Sequence, residues 1–448
     1  MNLKVLKFGG SSIGTAEALR RAAVIVREEL PAGGLVVVSA LRGTTDSILE
    51  ACAAAGRGEL ALALVQTAAI QVRHQTVAEE LGLTQAVATA WAPLFTRLDQ
   101  LLTGMAMLGE ATLRGRDGAL AVGETLSAHL AARCFGADFH EVREVMKTDA
   151  RFGKARPQLQ AIRAAATPWR EAMSAGQLWV TQGFLGMSPE GVTTTLGRGG
   201  SDTSATLLGE ALGAEEVQIW TDVDGVLSAD PSLVPEARPI PVMSLREAAA
   251  LSAFGAKVLH ADSLQPVHRA GLRLVVGNTR RPTGGRTEIR AEAPTRAPGE
   301  VTSVAYKEGI TCLRLPSAQE PDLFERLFQA ATRLQEAGAT CYGLLATADG
   351  GLLVVRPETP GAQAVLADLE AAGMVREAGW ALVALVGEGL RAIPGRTLGL
   401  LAPLDGEPIA AILAGDTGVS LAFLIPEDRL AELVPKLHLH CIQKVATP

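Results

Sequence analysis

Six stretches of this chain carry residue types able to hold phosphate and carboxylate groups. The densest reads Thr194-Thr195-Leu196-Gly197-Arg198-Gly199-Gly200-Ser201-Asp202-Thr203. Its glycines let backbone N–H groups approach one ligand, and the helix that follows opens its positive end toward an anion. Lys7-Phe8-Gly9-Gly10-Ser11-Ser12 sets an ammonium beside two glycines at the end of a short strand, where open α/β sheets receive ligands. Trp220-Thr221-Asp222-Val223-Asp224-Gly225, followed by Asp230, suits a ribose or a magnesium-proximal loop. Gly255-Ala256-Lys257-Val258-Leu259-His260 aims one lysine from small and apolar neighbours, and His260 reads as a packed polar side chain. Glu124 follows Gly123 at what reads as a helix start, and Ser39 to Asp46 places hydroxyls, Thr45 among them, after a buried strand.

Alone, each stretch also fits an ordinary turn or helix cap. Neither a Walker A loop nor G-x-G-x-x-G is present. Only eight of the 41 basic residues are lysine, which sharpens interest in Lys7 and Lys257 as compact point charges. Together the stretches are expected at strand C-termini or helix starts, converging on one sheet edge. They supply cations and N–H groups for phosphates, acids near Mg²⁺ and groups to hold an acceptor. That is the inventory for phosphoryl transfer.

The elements that must position them follow from periodicity. Residues 3–8 form a strand, Thr15–Leu30 a helix, and the apolar run 35–38 a strand covered on both faces. Strand, helix, strand predicts a parallel sheet. Residues 47–115 read as a helical hairpin, and helical pattern returns at 124–135, 157–175 and 203–212. Strands are expected at 178–182, 216–221 and 272–277. Pro, Gly and charge near 280–300 suggest a linker. Beyond it come a strand at 310–315, a helix at 321–337, strands at 341–346 and 351–355, and a helix at 361–372. A second cycle has a strand at 381–386, a helix near 390–402, strands at 408–413 and 418–424, and a helix at 427–437. These are two βαββα repeats of about 70 residues.

Composition narrows the class. At 448 residues, two or three domains are expected. A hydrophobic share of 48% excludes a disordered chain, and a net charge of -7 gives no electrostatic reason to bind nucleic acid. Cysteines at 52, 134, 312, 341 and 441 form no C-x-x-C pair, so neither a disulfide framework nor structural zinc is expected. No signal peptide or membrane span is legible, and a cytoplasmic protein is expected.

The set Lys7 to Ser12, Gly123-Glu124, Thr195 to Asp202, Trp220 to Val226 and Gly255 to His260 closely resembles the aspartate kinases of the amino-acid kinase superfamily. The resemblance covers residues 1 to about 290, and the two C-terminal cycles look like paired ACT regulatory domains. It implies an α/β amino-acid kinase fold, with a largely parallel central sheet and helices on both faces, plus two C-terminal α+β ACT-like domains of βαββαβ type. It implies a catalytic domain over 1–295 and a regulatory region over 296–448, with repeats at about 305–380 and 381–448. The implied reaction is ATP + L-aspartate → ADP + 4-phospho-L-aspartate, a step toward lysine, threonine and methionine, with Mg²⁺ bridging the phosphates and no dedicated protein metal site. In the implied assignment Lys7 and Lys257 meet the phosphates, and Gly9 and Gly10 allow close approach. Arg198 clamps the α-carboxylate of aspartate and Glu124 takes its ammonium. Ser39, Thr45 and Ser201 hold the acceptor, and Asp202 orients Lys7 or the acceptor site. Thr221, Asp222, Asp230 and Val258 contact the nucleotide.

There are departures. Leu227 and Ser232 stand where the family often has Tyr and Arg. The stretches Pro316 to Pro321 and Leu413 to Gly418 match effector contacts poorly. A homodimer through the ACT repeats is expected, with lysine or threonine as a weaker effector expectation. The chain ends after the second cycle, which suggests a kinase without a dehydrogenase extension. Two rivals stay open at this point: a kinase for glutamate, acetylglutamate or a nucleotide, and a catalytically silent amino-acid sensor.

Overall fold

The computed structural model describes residues 3–255, 259–292, 296–316, 322–347, 350–392, 398–414 and 418–443. Lys257 and Val258 therefore lie outside the described residues, as do 317–321 and 415–417 of the expected effector stretches. Among the described residues the chain forms two compact units. One comprises 3–226, 239–248 and 259–292; the other comprises 227–238, 249–255 and 296–443.

The first unit is built on ten strands: β1 (Lys4–Phe8), β2 (Gly34–Val38), β3 (Asp138–Phe139), β4 (Leu178–Gln182), β5 (Leu185–Met187), β6 (Thr193–Thr195), β7 (Glu216–Thr221), β8 (Val242–Ser244), β9 (Arg273–Asn278) and β10 (Thr287–Arg290). Eight make one sheet in the order β3-β4-β2-β1-β7-β9-β10-β8, parallel except for the β9–β10 pair. β5 and β6 form a separate antiparallel hairpin. β1 lies at the centre, with Phe8 in register with Val38 on one side and Trp220 on the other. All five residues of β2 are buried, as a strand covered on both faces requires.

The helix Ala16–Glu29 starts where Thr15 Oγ1 accepts from Ala18 N at 3.1 Å, and it buries Leu19, Ala22, Ile25 and Val26 on one stripe. The helical insert is larger than a hairpin. It comprises Thr44–Gly56, Leu60–Glu80, Thr84–Leu108 and Leu113–Phe135. The last of these corrects the expectation of a helix start at Gly123, because Gly123 and Glu124 sit mid-helix. Gly123 is a packing residue there. A Cβ on it would lie 2.9 Å from Thr44 Cγ2 and 3.0 Å from Ile48 Cδ1. The expected helix over 157–175 is two helices, Leu159–Ala165 and Thr167–Ser174, the second opened by a proline in its first turn.

In the second unit a six-stranded antiparallel sheet has the order 339–347, 350–357, 303–316, 375–386, 420–426, 412–414. The helix Leu323–Glu336 turns Leu327, Ala330 and Leu334 onto Leu313, Leu353 and Val355. The helix expected near 390–402 does not form among the described residues. The 3₁₀ turns Glu388–Ala392 and Leu398–Leu404 stand there, and Pro403 removes a helical donor. The strand expected at 408–413 shrinks to Ile412–Ala414. No helix among the described residues is long and apolar enough to cross a membrane.

Candidate active site

The C-terminal ends of four central strands, β7, β1, β2 and β4, are tied at one level. Gly9 N donates to Trp220 O at 3.3 Å, Ser39 N to Phe8 O at 3.1 Å and Gly183 N to Val38 O at 2.8 Å. The chain can turn so tightly after β1 only with glycine at position 10, where a Cβ would stand 2.6 Å from Ala40 O. Lys7, 8% exposed, ends on this edge and pairs through Nζ with Asp202 Oδ1 at 2.6 Å. Asp202 lies in the first turn of the helix Gly200–Leu212, which has Gly199 as its left-handed N-cap (φ +70°). Residues 195 apart in sequence thus meet as a charge pair.

Glu124 reaches the same place from mid-helix. It is 4% exposed and shares a hydrogen bond with the Ala40 backbone, and its Oε2 is buried without a hydrogen-bond partner. Burial pushes its carboxyl up from 4.5 to about 8, against the lowering effects of the Ala40 hydrogen bond and the nearby Lys7 charge. A buried carboxylic group with one empty oxygen is suited to receive a cation that brings its own charge.

Ser39 is half-buried after β2, its carbonyl accepting from Ser127 Oγ at 2.7 Å. Thr45 is half-buried in the first turn of Thr44–Gly56, beside a fully buried Thr44 hydroxyl that has no partner. Arg198 is exposed and has no ion-pair partner among the described residues, so its fork is free to take a carboxylate. Ser201 packs so tightly on β4's end that a Cβ on Gly183 would lie 2.6 Å from its own. Thr221 Oγ1 donates to Asp222 Oδ1 at 3.2 Å at the end of β7, and Asp224 takes Asn278 Nδ2 at 2.6 Å and pairs with Arg281. His260 caps the helix Ala261–Ala270, and a Cβ on Gly199 would come within 2.4 Å of its Cβ. The segment just after Lys257 and Val258 is thereby held against the glycine-rich loop. Asp230 belongs to the other compact unit. It accepts from Ser232 N and Oγ at 2.9 and 2.6 Å and from the Tyr306 hydroxyl at 3.3 Å.

Two positioning features escape the sequence reading. Asp117, 1% exposed, lies two helical turns before Glu124. Its Oδ2 accepts from Gly153 N at 2.9 Å and Thr195 N at 3.0 Å, and its Oδ1 from Thr195 Oγ1 at 2.8 Å. It ties the start of the glycine-rich loop to the Glu124 helix; the legible signal is an Asp seven residues before Glu124 on one helical face. Phe184 adopts φ +67°, unusual for a bulky residue, and its N donates to Ser204 Oγ at 2.9 Å. Among the described residues no three His, Cys, Asp or Glu side chains cluster to hold a metal ion. A Mg²⁺ here would draw most of its oxygens from phosphates and water, its usual habit in kinase sites.

A central parallel sheet with a lysine and a glycine-rich helix start at its C-terminal edge defines the amino acid kinase family, to which the chain belongs; the family match covers residues 2–278. Within that family it is one of the aspartokinases. It is 33% identical to the lysine-sensitive aspartokinase 3 of Escherichia coli, over 97% of this chain and 98% of that one. It is 37% identical to the aspartokinase of Chlamydia trachomatis, a match spanning 66% of each chain. The crystal structure of E. coli aspartokinase III in complex with aspartate and ADP (R-state) superposes with a TM-score of 0.84 at 30% identity, covering 98% of this chain and 99% of the other.

Proposed function

We propose that the chain transfers the γ-phosphoryl group of ATP to the side-chain carboxylate of L-aspartate, giving 4-phospho-L-aspartate and ADP. The observation that carries this reading is the buried, half-unpartnered Glu124 beside the Lys7–Asp202 pair. It is a receptor for an ammonium group placed next to a receptor for phosphate. The bond from the γ-phosphorus to the β,γ-bridging oxygen breaks, and a bond to a carboxylate oxygen forms. With a reference pKa of about 3.9 the nucleophile is already ionised at neutral pH, so no general base is needed. The protein's contribution is alignment and charge neutralisation.

Lys7 and Lys257 take phosphate oxygens, with Gly9 and Gly10 admitting the chain closely. Asp202 keeps Lys7 aimed. Arg198 grips the α-carboxylate, Glu124 the α-ammonium, and Ser39, Thr45 and Ser201 the remaining acceptor oxygens. Thr221, Asp222, Asp230 and Val258 contact the nucleotide. Mg²⁺, when bound, neutralises developing charge between the phosphates.

The same reading assigns catalysis to 1–295 and regulation to 296–448 (ACT-like repeats at about 305–380 and 381–448), in a cytoplasmic homodimer joined through those repeats. Lysine is the effector we favour over threonine, because the E. coli relative is named for lysine sensitivity. Hydroxamate trapping of the acyl phosphate tests the reaction. Product is expected with aspartate, ATP and Mg²⁺, and not with glutamate or acetylglutamate; turnover of either of those in preference to aspartate refutes the assignment. Millimolar lysine and threonine, added singly, test the effector.

A further inference from the structure

We propose that a cavity beside the glycine-rich loop binds a small organic anion carrying two or more carboxylate or phosphate groups. The cavity measures about 800 Å³, within the range of small-molecule sites. Arg151, Lys154 and Arg156 line it from the loop before Leu159, and Arg269 and Asp262 line it from the helix Ala261–Ala270. Leu196 and Leu207 add apolar surface.

Two of the four cations already have partners. Arg269 Nη2 meets Glu210 Oε2 at 2.7 Å, and Arg151 Nε lies 3.4 Å from Asp149 Oδ2. Lys154 and Arg156 have no ion-pair partner among the described residues. Their backbone is nonetheless fixed. Asp149 Oδ1 accepts from the N–H groups of Arg151 and Arg156 at 3.2 and 2.9 Å, and Ala155 N donates to Thr195 O at 2.8 Å. A connecting loop gains nothing from holding two unpaired cations around one void with two more guanidiniums nearby. Their mutual repulsion is relieved by an anion. Arg156 offers a planar fork and Lys154 a movable point charge, a combination that takes carboxylate and phosphate alike. Neither Lys7, Glu124 nor Asp202 lines this cavity, so it is a second site alongside the proposed catalytic one.

Titration calorimetry on the full chain at low salt, without ATP or aspartate, tests the proposal. Fructose 1,6-bisphosphate and tricarballylate serve as probes and separate a phosphate-bearing from a carboxylate-bearing ligand. One saturable site per chain is expected for at least one probe. Lys154→Ala combined with Arg156→Ala, both at exposed positions, should weaken it about tenfold or more, and Lys7→Ala should leave it within about twofold. Binding of neither probe, equal binding by the double variant, or loss of binding in Lys7→Ala each overturns the proposal. The kinase reading stands or falls separately, on turnover.

Discussion

Glu124 makes the proposed aspartate site pH-sensitive in a calculable way. Its carboxyl holds a proton up to about pH 8 in the empty site. An arriving ammonium group favours the ionised form, so binding aspartate near neutral pH must expel that proton. Affinity then rises with pH below 8 and levels off above it. With one proton released from a group of pKa about 8, the ratio of (1 + 10^(8−pH)) terms gives a KM for aspartate that falls about 50-fold between pH 6 and pH 8. Steady-state kinetics at saturating ATP measure the slope. Calorimetry of aspartate binding in buffers of different ionisation enthalpy counts the proton directly. Glu124→Gln, neutral at every pH and close in shape, should raise KM for aspartate by about 100-fold at pH 8 and flatten the profile, since a charged partner is lost from a dry site. The same group has an opposite effect on folding. Its folded pKa is raised above the unfolded 4.5, so its contribution to stability is lost as pH climbs from 4.5 through about 8, and the Gln variant should gain in Tm relative to the parent over that window. A flat KM between pH 6 and 8 together with buffer-independent heat would refute the reasoning.

Lys7→Ala should lower kcat by about 10²- to 10³-fold with the fold intact by circular dichroism, because it removes a preorganised cation from the transferring phosphate. Gly10→Ala should cost about 1–3 kcal/mol in chemical denaturation and depress turnover, since the new methyl group meets Ala40 O at 2.6 Å. Asp117→Ala strands two buried donors of Thr195 and a partly buried one of Gly153; thermal melts should show a loss of about 2–4 kcal/mol, and kinetics a rise in KM for aspartate.

Much of the sheet is legible from local pattern alone. The alternation at 3–8 and the unbroken apolar run at 35–38 suffice for β1 and β2, because strand faces are read within a few residues. Lys7 and Asp202 are legible as candidate site residues because lysine is scarce and glycines cluster beside both. What local pattern hides is set by distant neighbours. Gly123 looks like a break, yet it is a helical residue made necessary by Thr44 and Ile48, some 75 to 79 residues earlier. Asp117 looks like a surface helix residue until Gly153 and Thr195, 36 and 78 residues away, arrive to be bound. The Phe184 backbone conformation has no sequence signature, since nothing but tertiary packing selects it. The described residues 398–404 show the converse: apolar spacing runs into Pro403, which lacks the donor to propagate a helix.

The strand Ser303–Pro316 pairs with 375–386 over residues 303–314 and, on its other side, with 350–357 over residues 311–316. The two sequence repeats therefore meet side by side at one shared ladder, between 303–314 and 375–386. A protease that nicked the turn between Ala371 and Val375 would leave both pieces clamped together by main-chain bonds, migrating as one body until denaturant parted them. Pulling either repeat away would bare a long run of unsatisfied amides and carbonyls, an invitation to stick to the next molecule.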